Sequence, residues 1–144
     1  MEQRLAGTEG VASVPPAAAP RKTTVLIADD DAEVRALFCA ALPRDFHVVQ
    51  VSNGPDAVRV AQELLPDLIV CDSQMPGLHA SEVMVLLRKI AATAGIPVIV
   101  SSGYLEADVV GSGPKPNAFL QKPFAIGEFQ QLVRRTLAAH PRPA

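Results

Sequence analysis

The sequence carries little net charge, which argues against several kinds of partner. Its 13 lysines and arginines nearly balance 15 aspartates and glutamates, so the formal net charge of the 144 residues is -2. A strongly basic surface is what draws a protein to nucleic acid or to anionic lipid. We therefore expect neither nucleic acid nor a membrane as a partner.

The sequence also lacks metal-binding cysteine patterns and long apolar runs. Its two cysteines, Cys39 and Cys71, lie in apolar surroundings and form no CxxC or Cys/His motif, which argues against a zinc site. We interpret them as reduced, buried thiols in a reducing compartment. No segment approaches the ~18 apolar residues of a membrane span, and no secretion signal opens the chain. These absences predict a cytoplasmic protein.

What is present suits one packed domain. Apolar residues make up 49% of the chain and charged residues 19%, as in ordinary globular proteins. Residues 1–22 mix alanine, proline and glycine without a period, and we interpret them as a flexible leader. We expect the folded domain to cover residues 23–139, with residues 140–144 as a short tail.

Five short apolar runs alternate with helical patterns, which is typical of a parallel sheet covered by helices on both faces. The predicted strands are residues 25–28, 48–52, 68–71, 98–101 and 118–121. Four helical faces are predicted between and after them: Val34, Leu37, Phe38 and Ala41; Ala57, Ala61 and Leu64; Val83, Leu86, Leu87 and Ile90; and Phe129, Leu132, Val133 and Leu137.

The fourth crossover departs from this pattern. After "SSGYLEADVV" comes "GSGPKPN", in which two glycines and two prolines cannot extend a helix. We expect the helix in this crossover to have about two turns at most.

Polar residues follow the predicted strands at one common position. Asp29 and Asp30 come after the first strand, Asp72 after the third, Ser102 after the fourth and Lys122 after the fifth. Because ligands of open parallel sheets bind outside the carboxyl ends of the strands, we expect these side chains to converge there.

Converging carboxylates repel one another, so a cation among them is favourable. Oxygen ligands without histidine or cysteine favour a hard ion, and Mg²⁺ leaves coordination sites open for phosphate oxygens. The Lys122 ammonium and the Ser102 hydroxyl could meet phosphoryl oxygens, and an aspartate facing them is a candidate nucleophile. The sequence therefore predicts phosphoryl chemistry at this edge.

Each residue also has a simpler interpretation. Asp31 could cap the first helix, and Asp30 and Glu33 have the spacing of a capping box. Asp72 could be a turn residue before "MPG", and a serine after a strand or a lysine before a proline is often only solvated. The functional interpretation depends on their shared position at the ends of different strands.

The motifs "VLIADDDAEVR", "PDLIVCDSQMPG", "IPVIVSSGY" and "AFLQKPF", in this order, resemble a receiver domain of a two-component response regulator. They cover nearly all of residues 24–139. The resemblance implies a flavodoxin-like fold, a five-stranded parallel sheet of order 2-1-3-4-5, here with a shortened fourth helix. It also implies Mg²⁺ as cofactor and a histidine kinase or histidine phosphotransferase as phosphodonor.

The resemblance assigns a role to each site residue. Asp72 would be the phospho-acceptor, Asp30 a direct metal ligand, Asp29 a ligand acting mainly through water, and Lys122 the phosphoryl contact. The metal would also bind Asp72 and the backbone carbonyl of Gln74. Ser102 would be the switch hydroxyl, since it lies five residues after Pro97, and Ser101 is the fallback. Phe119 would be the aromatic switch residue, or simply a core residue. The Lys122-Pro123 bond would be cis.

In the family that the chain resembles, two further positions bear on the lifetime of the phosphoryl group, and one segment bears on signalling. Gln74 and Tyr104 lie two residues beyond Asp72 and Ser102, where side chains tune the access of water to the acyl phosphate. A bulky Tyr104 predicts a longer-lived phosphoryl group. The stretch from Ser102 to Lys122 is about two residues shorter than usual, which puts in doubt a signalling face that involves the fourth helix.

Four functions remain in view. The leading one is a stand-alone receiver that accepts a phosphoryl group and changes its binding face, a signalling protein and not an enzyme. The alternatives are a receiver-like binding module that works without phosphorylation, the receiver part of a hybrid kinase, and a small Mg²⁺-dependent aspartyl phosphohydrolase. The last is disfavoured because Gln74 occupies the position where such enzymes carry a second acid.

Overall fold

A computed structural model describes residues 21–111 and 113–141. Most of the predicted leader, and the end of the predicted tail, therefore lie outside the described residues. The elements in chain order are β1 (Thr24–Ala28), α1 (Ala32–Ala41), β2 (His47–Val51), α2 (Gly54–Leu64), β3 (Leu68–Asp72), α3 (Ala80–Lys89), β4 (Val98–Ser102), α4 (Glu106–Val110), β5 (Ala118–Gln121) and α5 (Ile126–Ala139).

The strands form one parallel sheet of order β2-β1-β3-β4-β5, which confirms the predicted fold class. All residues of β1, β3 and β4 are buried, whereas the edge strand β2 is only partly so. Central strands of a parallel sheet have helices on both faces, which explains their unbroken apolar runs. In the described part of the chain, no helix combines the length and the apolar character that a membrane span requires.

The side chains of β1, β3 and β4 alternate between two cores. Leu26, Ile69 and Val100 point into a core lined by α2 and α3, which we call the α2/α3 core. Val25, Val70 and Ile99 point into a core lined by α1 and α5, which we call the α1/α5 core. This alternation decides which side of the sheet each strand-end side chain faces.

Several predicted strand boundaries were wrong by one residue, and two of these errors have a consequence for the site. Asp72 and Ser102 are the last residues of β3 and β4 and do not follow those strands. Asp72 pairs in register with Ser101, and Ser102 with Gln121, so ladder pairing extends each strand by one polar residue. Both side chains therefore project from regular backbone.

The helical faces were predicted with two errors. Leu37 and Leu86 were placed on buried faces, but their side chains are 44% and 38% exposed. Each precedes a fully buried neighbour, Phe38 or Leu87, by one position. Successive helical residues are about 100° apart, so Leu37 and Leu86 lie at the margin of the apolar stripe.

Helix α1 begins with the cap that the simpler interpretation proposed. Asp31 is its N-cap, and the carboxylate accepts hydrogen bonds from the backbone N–H groups of Glu33 and Val34 at 2.9 and 3.3 Å. The predicted alternative, a box formed by Asp30 and Glu33, was one residue too early. Asp30 is thereby left out of the capping interaction.

The fourth helix is short, as predicted. α4 has five residues and buries none of them. It ends at Gly111, whose φ of 54° lies in the left-handed region that favours glycine. The prolines that follow prevent the helix from resuming.

Candidate functional site

Three carboxylates meet at the carboxyl edge of the sheet. Asp29, Asp30 and Asp72 each offer an oxygen atom, and these atoms all lie within 4.8 Å of one another. Asp29 and Asp72 are 1% and 9% exposed, whereas Asp30 is exposed. Two of the three charges are thus largely removed from water.

The two acids that follow β1 have different surroundings. Asp29 Oδ1 accepts a hydrogen bond from the Asp31 backbone N–H at 2.9 Å, and Asp29 Oδ2 lies 3.5 Å from Lys122 Nζ. Both oxygens of Asp29 therefore have protein partners. Asp30 accepts no side-chain hydrogen bond from the described residues, which leaves its carboxylate free to face solvent or an ion.

Lys122 supplies the positive charge of the site. Its Nζ lies 3.1 Å from Asp72 Oδ1, and its backbone N–H donates to the Ser102 carbonyl at 2.7 Å. The ammonium group bridges Asp72, the last residue of β3, and Asp29, which follows the neighbouring strand β1. The Lys122-Pro123 peptide bond is cis, as expected from the resemblance.

The acids and the lysine shift one another's pKa values. Burial raises the pKa of Asp72, the Asp29 carboxylate raises it further, and the contact with Lys122 only partly offsets both. Burial alone would lower the pKa of Lys122, but the Asp72 and Asp29 carboxylates outweigh it, so that pKa is raised. The cluster thus has more negative charge than one ammonium neutralises, and a cation would be stabilised there.

The chemistry of the donor set fits Mg²⁺. The converging side-chain ligands are carboxylate oxygens, with no histidine in the cluster. Cys71 lies one residue before Asp72, but it is fully buried, and burial raises the pKa of its thiol, so it offers no thiolate. A hard cation that keeps part of its water shell suits a site with one exposed carboxylate.

The two adjacent serines of β4 face opposite sides of the sheet. Ser101 follows Ile99 toward the α1/α5 core, and Ser102 follows Val100 toward the α2/α3 core. Ser101 Oγ is buried without a hydrogen-bond partner among the described residues. Ser102 Oγ bonds to Ser73 Oγ at 2.7 Å and accepts the Tyr104 backbone N–H at 2.9 Å. The structure therefore joins Ser102 to Ser73 and not to the acids.

The remaining predicted residues lie around Ser102. Phe119 pairs with Val100 and packs, partly buried, against the α2/α3 core, on the Ser102 side of the sheet. Tyr104 is 56% exposed, and Gln74 is also exposed. Tyr104 and Gln74 line a cleft of about 130 Å³ together with Ser73.

Two contacts of the site were not anticipated. Arg35 Nη1 donates to the Asp29 carbonyl at 2.7 Å, which fixes the start of the acidic segment from the first turns of α1. Ser73 bonds to Ser102 across two strands. The only sequence signal for the second contact is strand alternation, which places a residue directly after Asp72 on the Ser102 side.

The chain is similar to known proteins over most of its length. Residues 25–134 match the family model described as response regulator receiver domain. The chain is 29% identical over 118 residues to a protein named histidine kinase P4 from Formosa agariphila, an alignment that covers 81% of this chain and 9% of that protein. It is 39% identical over 92 residues to protein-glutamate methylesterase/protein-glutamine glutaminase 2 from Rhodospirillum rubrum, covering 62% of this chain and 24% of that protein. The chain thus spans less than a quarter of either relative.

The fold has close counterparts among solved structures. The chemotaxis response regulator CheY4 of Vibrio cholerae superposes with a TM-score of 0.74 at 21% identity, and the match covers 81% of this chain and 100% of that one. At this identity the likeness concerns the fold alone.

Proposed function

The chain belongs to the response regulator receiver domain family of two-component signalling, and we propose that Asp72 accepts a phosphoryl group from a histidine kinase or a histidine phosphotransferase. The observation that carries this proposal is the contact of Lys122 Nζ with Asp72 Oδ1 at 3.1 Å inside a cluster of three carboxylates. A purely structural turn residue would not require this arrangement.

Asp30 and Asp72, with the backbone carbonyl of Gln74, would hold Mg²⁺ directly, and Asp29 would act mainly through water. This division is supported by the partners of Asp29, whose two oxygens are already engaged, and by the exposed carboxylate of Asp30. When bound, Mg²⁺ supplies charge neutralisation for the phosphoryl oxygens.

The reaction that we propose is a direct displacement at phosphorus. A carboxylate oxygen of Asp72 forms a bond to phosphorus while the bond from phosphorus to the donor imidazole nitrogen breaks, and the electron pair stays on that nitrogen. Lys122 faces the negative charge of the transferring group, and β3 holds Asp72 on regular backbone. Fixed orientation of this kind lowers the entropic part of the barrier.

Phosphorylation would change the protein surface near Ser102. The Ser102 hydroxyl would turn toward the phosphoryl group, and Phe119 on the same side of the sheet would follow. A downstream protein would bind the altered surface, so phosphorylation would serve as a signal. We place this function in the cytoplasm and expect no role for nucleic acid or membrane.

The test is phosphorylation by acetyl phosphate with Mg²⁺, followed by intact-protein mass spectrometry. Wild type should gain one phosphoryl group, and Asp72→Asn should gain none. Asp45→Asn is the matched control because Asp45 is an exposed aspartate between α1 and β2, away from the cluster. Chelation of the metal should stop the reaction.

Two results would contradict the proposal. One is equal phosphorylation of Asp72→Asn, which would place the acceptor elsewhere. The other is steady turnover of a generic phosphomonoester, which would indicate the aspartyl phosphohydrolase that the sequence left as an alternative. A protein that bound its partner equally well with and without phosphorylation would instead be a receiver-like binding module.

A further inference from the structure

Ser73 and Ser102 form a buried hydroxyl pair next to the proposed acceptor. Their Oγ atoms are 2.7 Å apart although the residues are 29 positions apart in sequence. Ser73 is 5% exposed and Ser102 is fully buried. At this distance the contact is a well-formed O–H···O hydrogen bond that water does not compete for.

The backbone on both sides of Ser73 is fixed. Its N–H donates to the Ser101 carbonyl at 2.9 Å. Its carbonyl accepts a hydrogen bond at 3.1 Å from the N–H of Ala80, which is the first residue of α3. Ser73 can therefore follow a moving Ser102 only by rotation of its own short side chain. A displacement of the Ser102 hydroxyl breaks the pair.

Ser102 Oγ has a second partner in the segment that leads to α4. It accepts the Tyr104 backbone N–H at 2.9 Å. If Ser73 donates, both lone pairs of Ser102 Oγ are occupied, and its own proton has no acceptor among the described residues. The hydroxyl is thus held by its neighbours while its donor capacity is unused.

We infer that Ser73 is a positioning residue that holds the Ser102 hydroxyl, and through it the Tyr104 N–H, in the arrangement that precedes phosphorylation. The inference rests on the proposed function and adds a residue that the family motifs leave unassigned. The Ser102 hydroxyl contacts Ser73 and none of the acids here, so it leaves Ser73 when it turns to donate its unused proton to a phosphoryl oxygen on Asp72. The segment before α4 is released in the same step.

Removal of the Ser73 hydroxyl should favour the phosphorylated arrangement. One hydrogen bond of this kind changes an equilibrium roughly two- to ten-fold. Ser73→Ala should therefore bind a phosphoryl mimic roughly two- to ten-fold more tightly than wild type. Ser73→Cys, whose thiol is similar in size but bonds weakly, should change the affinity in the same direction.

The chain contains a convenient probe. It has one tyrosine and no tryptophan, so its tyrosine fluorescence comes from Tyr104, whose N–H bonds to Ser102. The experiment is a titration with beryllofluoride in excess Mg²⁺, with the half-saturation point read from this fluorescence. Ser52→Ala, at the same edge of the sheet, is the matched control and should titrate like wild type.

A double-mutant cycle separates positioning from a general structural effect. In a Ser102→Ala background, Ser73→Ala should leave the half-saturation point unchanged, because there is no hydroxyl left to hold. An equal shift in both backgrounds would overturn the inference. So would a Ser73→Ala protein that binds the mimic no more tightly than wild type.

A second measurement needs neither metal nor mimic. Hydrogen exchange of the Tyr104 amide should become several-fold faster in Ser73→Ala, since Ser102 then leaves that N–H more often. Unchanged exchange would contradict the inference. Absence of any fluorescence response in wild type would contradict the proposed function itself, whereas an intact response with no effect of Ser73→Ala would contradict only the role of Ser73.

Discussion

The helices that precede and follow β4 in the sequence, α3 and α4, differ in how they pack against the sheet. α3 has ten residues, and its side chains Ala80, Val83, Met84 and Leu87 are buried. α4 has five residues, and none is buried. The site that precedes α3 is thus anchored by a packed helix, whereas the segment that follows Ser102 is held by few contacts.

The residues in and just before α4 have few buried contacts. Leu105 and Tyr104, just before the helix, are 65% and 56% exposed, and only Val109 packs against the α2/α3 core. Segments with few buried contacts open at low free-energy cost. The proposed acceptor thus lies at the end of a buried strand, whereas the surface that we propose to respond to phosphorylation lies beside the one described helix that buries no residue.

The largest contrast should appear between removal of the lysine at the acidic cluster and removal of a lysine in the segment after α4. Lys122→Ala should reduce the rate of phosphorylation by about two to three orders of magnitude, because a preorganised charge at the transferring group is lost. Lys115→Ala, in the exposed segment after α4, should leave the rate unchanged. Mass spectrometry over time with acetyl phosphate measures both rates. Similar rates in the two variants would contradict a role for Lys122 in phosphorylation.

A second contrast concerns stability. Leu87→Ala in α3 should lower the free energy of unfolding by about 3 kcal/mol, since it leaves a cavity in place of a fully buried side chain. Val110→Ala in α4 should cost less than about 1 kcal/mol, because that side chain is only partly buried. Urea denaturation of both variants tests this, and equal losses would mean that α4 is as well packed as α3.

A smaller effect is expected at Tyr104. Its side chain lines the cleft beside Ser73 and Gln74, where it can restrict the approach of water to a phosphorylated Asp72. Tyr104→Ala should speed the loss of the phosphoryl group by a few-fold. Loss of the label with time after removal of the donor is the measurement, with Leu105→Ala as the neighbouring exposed control. A rate no faster than that of wild type would refute the shielding role.

The smallest effect should be a gain of stability at the acidic edge. The pKa of Asp72 is raised in the folded protein by burial and by Asp29, so its ionised form opposes folding at every pH above its ordinary pKa. Asp72→Asn should therefore raise the thermal midpoint of the metal-free protein by a few degrees at neutral pH. Asp45→Asn serves as control, and a lower midpoint for Asp72→Asn would show that the contact with Lys122 outweighs the repulsion.

Much of the fold was predictable because apolar period and turn residues are local properties. The five strands, the covering helices and the short fourth helix follow from them. The boundary errors at Asp72 and Ser102 arose because pairing with Ser101 and Gln121 extends each strand by a residue that is not apolar. The exposed Leu37 and Leu86 show that a stripe of apolar residues does not reveal where its margin lies.

The residue types of the site were also predictable, but their contacts were not. Acids, a hydroxyl and a lysine at strand ends indicated the edge where they gather. The contacts of Ser73 with Ser102 and of Arg35 with the Asp29 carbonyl depend on side-chain directions that no motif contains. The roles of the site residues, those of Gln74 and Phe119 included, remain predictions.

The sequence by itself determined the class of fold, the edge of the sheet where the acids and the lysine gather, and the shortness of the fourth helix. Periodicity, strand-end position, glycine and proline all act locally along the chain. Only the tertiary structure decided that Lys122 bridges Asp72 and Asp29 and that Ser102 is held by Ser73. Those contacts join residues that are far apart in sequence, and register and strand alternation set their geometry only once the whole sheet is assembled.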